Sequence, residues 1–318
     1  MGLTGLKKDT LKLILFGGKG GVGKTTCASS TSLYLSEDFK TLLFSTDPAH
    51  SLADSLEQDI GDEVKEAKGI KNLSVLQVSA EKAFSEFKIR YESQIRKILD
   101  TSTYLDQEDI DSLFALPIPG MDEVMGFKTI VDEIDEAKFD KYIVDTAPTG
   151  HALRLLTLPE LLDDWIKVMA KMRWKYRYMV ESFSGKYKPD EGDDFLLEMK
   201  KTVKRIETLL RDNKRCEFVA VTIPEDMAIL ETERLVTSLD KYGMKVKQLV
   251  VNNVLESSGC EFCRRRRASQ ERHINQIRER FSNLKITIIP LQPQEVKGIE
   301  ALNNLKEVMF CNTLAILK

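Results

Sequence analysis

The stretch GGKGGVGKTT, Gly17 to Thr26, holds the residue types best suited to chemistry. It fits the pattern G-x-x-x-x-G-K-[ST] at Gly18, Gly23, Lys24 and Thr25. Glycines lack a Cβ, so a loop running through Gly18, Lys19, Gly20, Gly21, Val22 and Gly23 can curl its backbone N–H groups around phosphate oxygens. The helix expected to start here, in the region of Lys24, Thr25 and Thr26 that closes the stretch, turns its positive end toward the same anion. Lys24 is expected to reach the β- and γ-phosphates of ATP, and the Thr25 hydroxyl to hold Mg²⁺. The bland alternative is a glycine-rich turn that only closes a strand–helix unit. The apolar run before the loop and the helical pattern after it argue for phosphate binding.

Two carboxylates sit where a second and third apolar run end. Asp47 lies in STDPAHSLADSL and Asp145 in VDTAPTGH. The C-terminal edge of strands is where α/β folds place ligands. From there Asp47 can orient or deprotonate an attacking water, as phosphoryl transfer requires. A simple Asx-turn before Pro48 is the competing reading. His50 suits a supporting hydrogen bond rather than catalysis. Asp145 suits a Walker-B-type contact to Mg²⁺, with a helix N-cap as its alternative. Thr146 to His151 then form a loop able to sense the γ-phosphate.

The third candidate is GCEFCRRRR. Cys260 and Cys263 have the C-x-x-C spacing that puts two ligands on one metal. Structural zinc takes four. Cys27, Cys216 and Cys311 form no second such pair. His273 lies ten residues beyond Cys263, about 15 Å of rise along a helix. One chain therefore does not complete a tetrahedron, whereas a twofold axis would supply the same pair twice. A redox pair is the rival, because the arginines that follow favour thiolate. Two ordinary cysteines are the third reading. Arg264 to Arg267 make a weak nucleic-acid footprint in a near-neutral chain, so they read as a solvated or ion-paired helix end, and no nucleic-acid partner is expected.

These groups need strands that end beside one another. LKLILF (11–16), TLLFST (41–46), KYIVDT (141–146), FVAVTI (218–223), QLVVNNV (248–254) and KITIIPL (285–291) are short apolar runs of the buried-strand kind. Helical stretches separate several of them. The pattern predicts an α/β fold with a mostly parallel sheet and helices on both faces. Two regions break the rhythm. Phe84, Phe87, Tyr91, Ile95 and Ile98 recur at helical spacing, and an acidic stretch (106–111) then leads to LPIPGMDE. Leu162, Trp165, Met169 and Met172 recur likewise, and after a polar break at 184–194 so do Phe195, Met199, Val203, Ile206 and Leu210. The expected division is an ATPase core of 1–81, 131–159 and 213–318, with a helical subdomain of 82–130 and 160–212. The 318 residues carry a net charge of −3 and five cysteines. That suits a soluble, globular protein with reduced thiols and excludes a disulfide scaffold or a nucleic-acid-coating chain. With no signal peptide or membrane-length apolar run, the cytoplasm is expected.

Two resemblances sharpen this reading. The form K-G-G-x-G-K-T, with Lys19 after the first glycine of the pattern, resembles the deviant P-loop group. That group includes the nitrogenase iron protein, the septum-site and plasmid-partition ATPases and the arsenical-pump ATPases. The resemblance implies a homodimer in which Lys19 reaches the partner's nucleotide as a catalytic cation. More specifically, GGKGGVGKTT, STDPAHSL, DTAPTGH and CEFC in that order resemble the arsenical-pump-driving ATPase family. Within it they are similar to the archaeal and eukaryotic branch that guides tail-anchored proteins to the membrane. IPEDMAILETERL (223–235) and PLQPQEVKGIE (290–300) also look like family segments. The resemblance implies that Asp47 positions the hydrolytic water, that Glu225 and Asn252 contact the nucleotide, and that the loop from Pro290 and Leu291 covers the adenine. It also implies that Cys260 and Cys263 share a zinc across the dimer. An amide such as Asn252 suits a base edge, having both donor and acceptor.

The implied partners are hydrophobic transmembrane segments and a membrane receptor. Met121, Met125, Met169, Met172 and Met179 are flexible thioethers suited to varied apolar guests, or else simple core residues. The chain departs from its branch in MAKMRWKYRYMVESFSGKYKPDEGDD, which is shorter and richer in Lys, Arg, Tyr and Asp. Alternatives are the ATPase subunit of a metalloid efflux system, a redox-responsive holdase, and a cluster-bearing electron carrier.

Overall fold

A computed structural model describes residues 3–46, 51–102, 121–146, 149–184, 186–256 and 260–311, without the side chains at 80–81, 101–102, 121–125, 149–162, 165, 184 and 311. The eight strands among them form one sheet. They are β1 (Leu13–Gly17), β2 (Thr41–Ser45), β3 (Lys65–Glu66), β4 (Leu73–Gln77), β5 (Lys141–Asp145), β6 (Cys216–Thr222), β7 (Val246–Val254) and β8 (Lys285–Pro290). Their order is β3-β4-β2-β5-β1-β6-β7-β8. Every pairing is parallel except the short β3 against β4. The sheet is mostly parallel, as expected for an α/β fold.

The helices are α1 (Lys24–Ser36), α2 (Ser51–Leu56), α3 (Ala80–Ser102), α4 (Met121–Asp135), α5 (Thr149–Ser184), α6 (Glu191–Arg211), α7 (Asp226–Lys241), α8 (Glu261–Arg280) and α9 (Gly298–Lys306). Strand alternation explains how the sheet is covered. Val219, Val221 and Val250 share a buried cluster with Leu33 of α1 and Leu302 of α9. Their neighbours Ala220, Leu249 and Val251 pack instead with Ile229 of α7 and Ile274 of α8. With both faces covered, β1, β2 and β5 are buried at every position, and their central residues (LILF, LLF and YIV) are continuously apolar rather than alternating. Each fully buried Leu or Ile contributes about 1.5–3 kcal/mol.

Helix α1 is serine-rich yet largely buried. Its small side chains let it lie close to the sheet. Ser32 donates to Ser29 O at 2.7 Å and Ser36 to Leu33 O at 2.9 Å, which satisfies two hydroxyls that burial would otherwise penalise.

The chain divides into two compact units. One comprises Met1–Ser79, Glu133–Leu153 and Leu209–Lys318; the other comprises Ala80–Asp132 and Arg154–Thr208. In the second, Phe87, Tyr91 and Phe195 form an aromatic cluster with ring centroids 4.9–6.2 Å apart. Ile95, Ile98, Met199, Val203 and Ile206 are also buried there. Arg173, 3 % exposed, is paired with Asp190 and Asp193.

Two features differ from the sequence reading. Strands β3 and β4 were not anticipated. LSVLQ is short, with a serine inside it, and it becomes a strand because β2 offers an open edge for parallel pairing from Thr41↔Leu73 to Ser45↔Gln77. The anticipated loop from Thr146 to His151 is also shorter than expected, because α5 begins at Thr149. The acidic stretch 106–111 and LPIPG lie outside the described residues.

Candidate functional site

The loop between β1 and α1 lies at the C-terminal edge of the sheet, beside the end of β5. Phe16 is in register with Asp145, and Gly17 with Ala220. Two glycines here have no substitute. A Cβ on Gly18 would lie 2.1 Å from Val221 O, a backbone atom of the neighbouring strand. Gly23 has φ +95°, and a Cβ there would lie 2.3 Å from Asn252 Nδ2. Gly23 is also the N-cap of α1, so the first N–H groups of that helix open onto the loop.

Lys24 is 6 % exposed, and its Nζ donates to Lys19 O at 3.2 Å. The cation is thus held inside the curl of its own loop. Thr25 Oγ1 donates to Asp145 Oδ2 at 2.7 Å and lies 3.3 Å from Ser51 Oγ. Asp145 is fully buried at the tip of β5. A hydroxyl and a carboxylate held together at a strand tip give oxygen-only donors, which suit a hard cation such as Mg²⁺. Thr146 Oγ1 donates to Phe16 O at 2.8 Å and ties the start of the following loop to β1.

Above the loop lies a cleft of about 600 Å³. Gly21, Gly23 and Thr26 of the loop and α1 line it, together with Asn252, Asn253 and Leu291. Asn252 Nδ2 donates to Val22 O at 3.0 Å, so the asparagine is already fixed against the P-loop. Pro290 closes β8, and Leu291 follows with its N–H donating to Val254 O at 2.8 Å. Glu225 is the N-cap of α7 and lines a smaller adjoining cavity with Asn253, Leu255 and Leu291. Asp47 and His50 lie outside the described residues.

Lys19 is a third exposed, with its Nζ 3.5 Å from Glu231 Oε1 of α7 in the same chain. Sequence reasoning did not foresee this partner. A half-exposed pair of this kind is worth about 0.2–1 kcal/mol, so exchanging it for another anion costs little.

Cys260 is the N-cap of α8, with its Sγ accepting the Cys263 N–H at 3.1 Å. Cys260 is exposed and Cys263 half-buried. Cys27 and Cys216 are buried. Burial pushes the Cys27 thiol up to about 12, and burial raises that of Cys216 as well. The arginine run is part of α8: Arg265 pairs with Glu261 at 2.5 Å and Arg267 with Glu271 at 3.2 Å. His273 lies 3.1 Å from Asp226. Among the described residues no group of three or more His, Cys, Asp or Glu side chains gathers as a metal site.

Sequence reasoning did not single out Ser51, Asp54, Glu295 or Lys297, all of which border the cleft or its donors. Each lies inside a quoted stretch, Ser51 and Asp54 in STDPAHSLADSL and Glu295 and Lys297 in PLQPQEVKGIE, but none carried a role of its own.

The parallel sheet, the loop after β1 and the Thr25–Asp145 pair define a P-loop nucleoside triphosphatase. A family model described as "Anion-transporting ATPase" matches residues 11–311. The "ATPase ASNA1 homolog 1" of Paramecium tetraurelia is 34 % identical over 318 residues, covering 96 % of this chain and 94 % of that protein. The "ATPase GET3B" of Arabidopsis thaliana is 35 % identical, covering 94 % and 79 %. The "ATPase get3" of Pyrenophora tritici-repentis is 31 % identical, covering 96 % and 92 %. The chain belongs to the anion-transporting ATPase family, and it is an ATP hydrolase.

Proposed function

We propose that this ATPase works as a cytoplasmic homodimer that captures hydrophobic tail-anchored segments and delivers them to a membrane receptor. One observation carries the reading. A single helix, α5, starts at Thr149, directly after the Asp145–Thr146 tip of the nucleotide site, and continues to Ser184. Further along, it bears Val168, Trp174, Tyr178, Met179 and Phe183, all exposed, with Phe183 at 89 %. Such a run of solvent-facing apolar side chains suits an apolar guest. Of the methionines considered as guest contacts, Met169 is core and Met179 is exposed; the side chains of Met121 and Met125 lie outside the described residues. No described helix is long and apolar enough to cross a membrane itself.

In this reading the backbone of Gly18 to Gly23 cradles the phosphates, Lys24 binds the β- and γ-phosphates, and Thr25 and Asp145 hold Mg²⁺. The ion would neutralise charge on the phosphate oxygens. Asp47 positions the attacking water. Lys19 leaves Glu231 to meet the partner's nucleotide, where it stabilises charge growing on the transferring phosphoryl. Asn252, Glu225, Pro290 and Leu291 hold the nucleoside. Each chain offers two thiols on one helical turn, so a second copy would complete a tetrahedral zinc site at Cys260 and Cys263. The γ-phosphate then biases the helices that follow β5 between two arrangements.

Two variants test the assignment. Asp47→Asn is expected to bind ATP and to hydrolyse it at least tenfold more slowly; normal turnover removes Asp47 from its role. Cys260→Ser with Cys263→Ser is expected to lose one zinc per dimer and to sediment as a weaker dimer. Unchanged metal content or an unchanged sedimentation profile would rule out the shared site.

A further inference from the structure

The ladder between β7 and β8 is regular up to Val251↔Ile288, slips, and resumes at Val254↔Pro290. Asn252 and Asn253 occupy the slip. Asn253 has φ +58°, a left-handed conformation that asparagine tolerates better than most side-chain-bearing residues. Three elements converge on this irregular turn. Asn252 Nδ2 donates to Val22 O of the phosphate loop at 3.0 Å. Val254 O accepts Leu291 N at 2.8 Å, which anchors the start of the loop over the cleft. From α8, Gln270 reaches the turn with both ends of its amide.

Gln270 is 7 % exposed. Its Nε2 donates to Asn253 O at 3.0 Å, and its Oε1 accepts Leu255 N at 2.7 Å. Arg267, one helical turn earlier, donates to Leu255 O. Gln270 thereby supplies a partner for the carbonyl of Asn253, inside the slip, and for the N–H of Leu255, just past the end of β7. A buried peptide group left without a partner is costly. Asn252 and Asn253 line the cleft together with Gly21 and Gly23 of the P-loop.

We propose that Gln270 is a positioning residue for the nucleoside half of the ligand. It clamps the turn that aims Asn252 and supports Leu291, while the phosphate cradle is built by β1 and α1 and meets that turn only at the Val22 carbonyl, not at an N–H that would hold phosphate. The proposal rests on the reading that this cleft takes ATP. It predicts a split that a residue contributing only to general stability would not produce, since weakening the clamp should spare phosphate binding.

The experiment is calorimetric titration of the full-length protein with ADP and, separately, with inorganic tripolyphosphate. Gln270→Met keeps the volume and removes both hydrogen bonds. It is expected to weaken ADP binding about tenfold, the loss that one or two broken buried hydrogen bonds represent. Tripolyphosphate affinity should stay within about twofold of wild type, which also shows that the variant is folded. Unchanged ADP affinity would overturn the proposal, and so would an equal loss for both ligands. Lys24→Ala separates this from the underlying reading. If that variant still bound both ligands, the cleft would not be the nucleotide site, and the clamp would have no ligand to position.

Discussion

Arg173→Met offers a quantitative test of how the helical unit is held together. Arg173 is 3 % exposed, while the side chains of its partners Asp190 and Asp193 retain 26 % and 29 % of their surface. It also lies 5.0 Å over the Tyr176 ring and 5.6 Å over that of Tyr187. Removing one partner of a buried pair costs about 3–5 kcal/mol when the remaining charge stays buried. Here both aspartates reach water and can be rehydrated, and methionine retains much of the arginine stem's packing. We therefore expect roughly half that loss, about 2 kcal/mol. With a urea slope of about 2 kcal/mol per molar, the midpoint falls by about 1 M. Tryptophan fluorescence is the natural assay. The only two tryptophans, Trp165 and Trp174, both belong to this unit.

The same variant has a pH signature. Burial by itself would raise both aspartates. Hydrogen bonds from Arg173 to Asp190, and from Tyr187 and Arg173 to Asp193, outweigh it and hold both carboxyls below their ordinary 3.8. Groups depressed on folding stabilise the native state above the unfolded value, and that stability is lost as pH falls through the folded one. Wild type should lose it below about pH 4, whereas Arg173→Met should show a flatter acid limb. A midpoint shift under about 0.2 M, or an unchanged acid limb, would refute the reasoning.

Gly23→Ala is expected to cost about 2–3 kcal/mol, from left-handed strain plus the lost Asn252 bond, and to abolish ATP turnover; a wild-type melting temperature would contradict this. Thr25→Ala removes the hydroxyl bonded to Asp145. It should slow hydrolysis more than about tenfold while retaining ADP binding in chelator, and parallel loss of both would show misfolding instead. Brief iodoacetamide treatment at about pH 8, after zinc is stripped with chelator, should label Cys260 and Cys263 and spare Cys27 and Cys216, whose raised thiols carry little thiolate. Peptide mass spectrometry checks this, and early labelling of Cys27 would contradict its burial.

The central strands and the phosphate loop were legible because their signal is local. A run such as LILFG, buried on both faces, is apolar throughout, and the glycines follow it directly. Thr25 and Asp145 were legible as single candidates, but their meeting at 2.7 Å depends on β1 and β5 lying side by side, far apart in the chain. Strand β4 was missed because its identity comes from the edge of β2. The pairing of Lys19 with Glu231 and the Gln270 clamp were beyond reach for the same reason. Neither α7 nor α8 carries in its own sequence a statement of which loop it lies against.

The most direct test of the central claim is capture of a transmembrane segment by the purified protein. The segment is offered with ATP, with ADP or with no nucleotide, alongside a control of equal length in which polar residues replace half of the apolar ones. The account predicts that retention depends on both the nucleotide and the apolarity, and that Asp47→Asn retains the segment longest in ATP. Capture indifferent to nucleotide, or equal for the polar control, would contradict it.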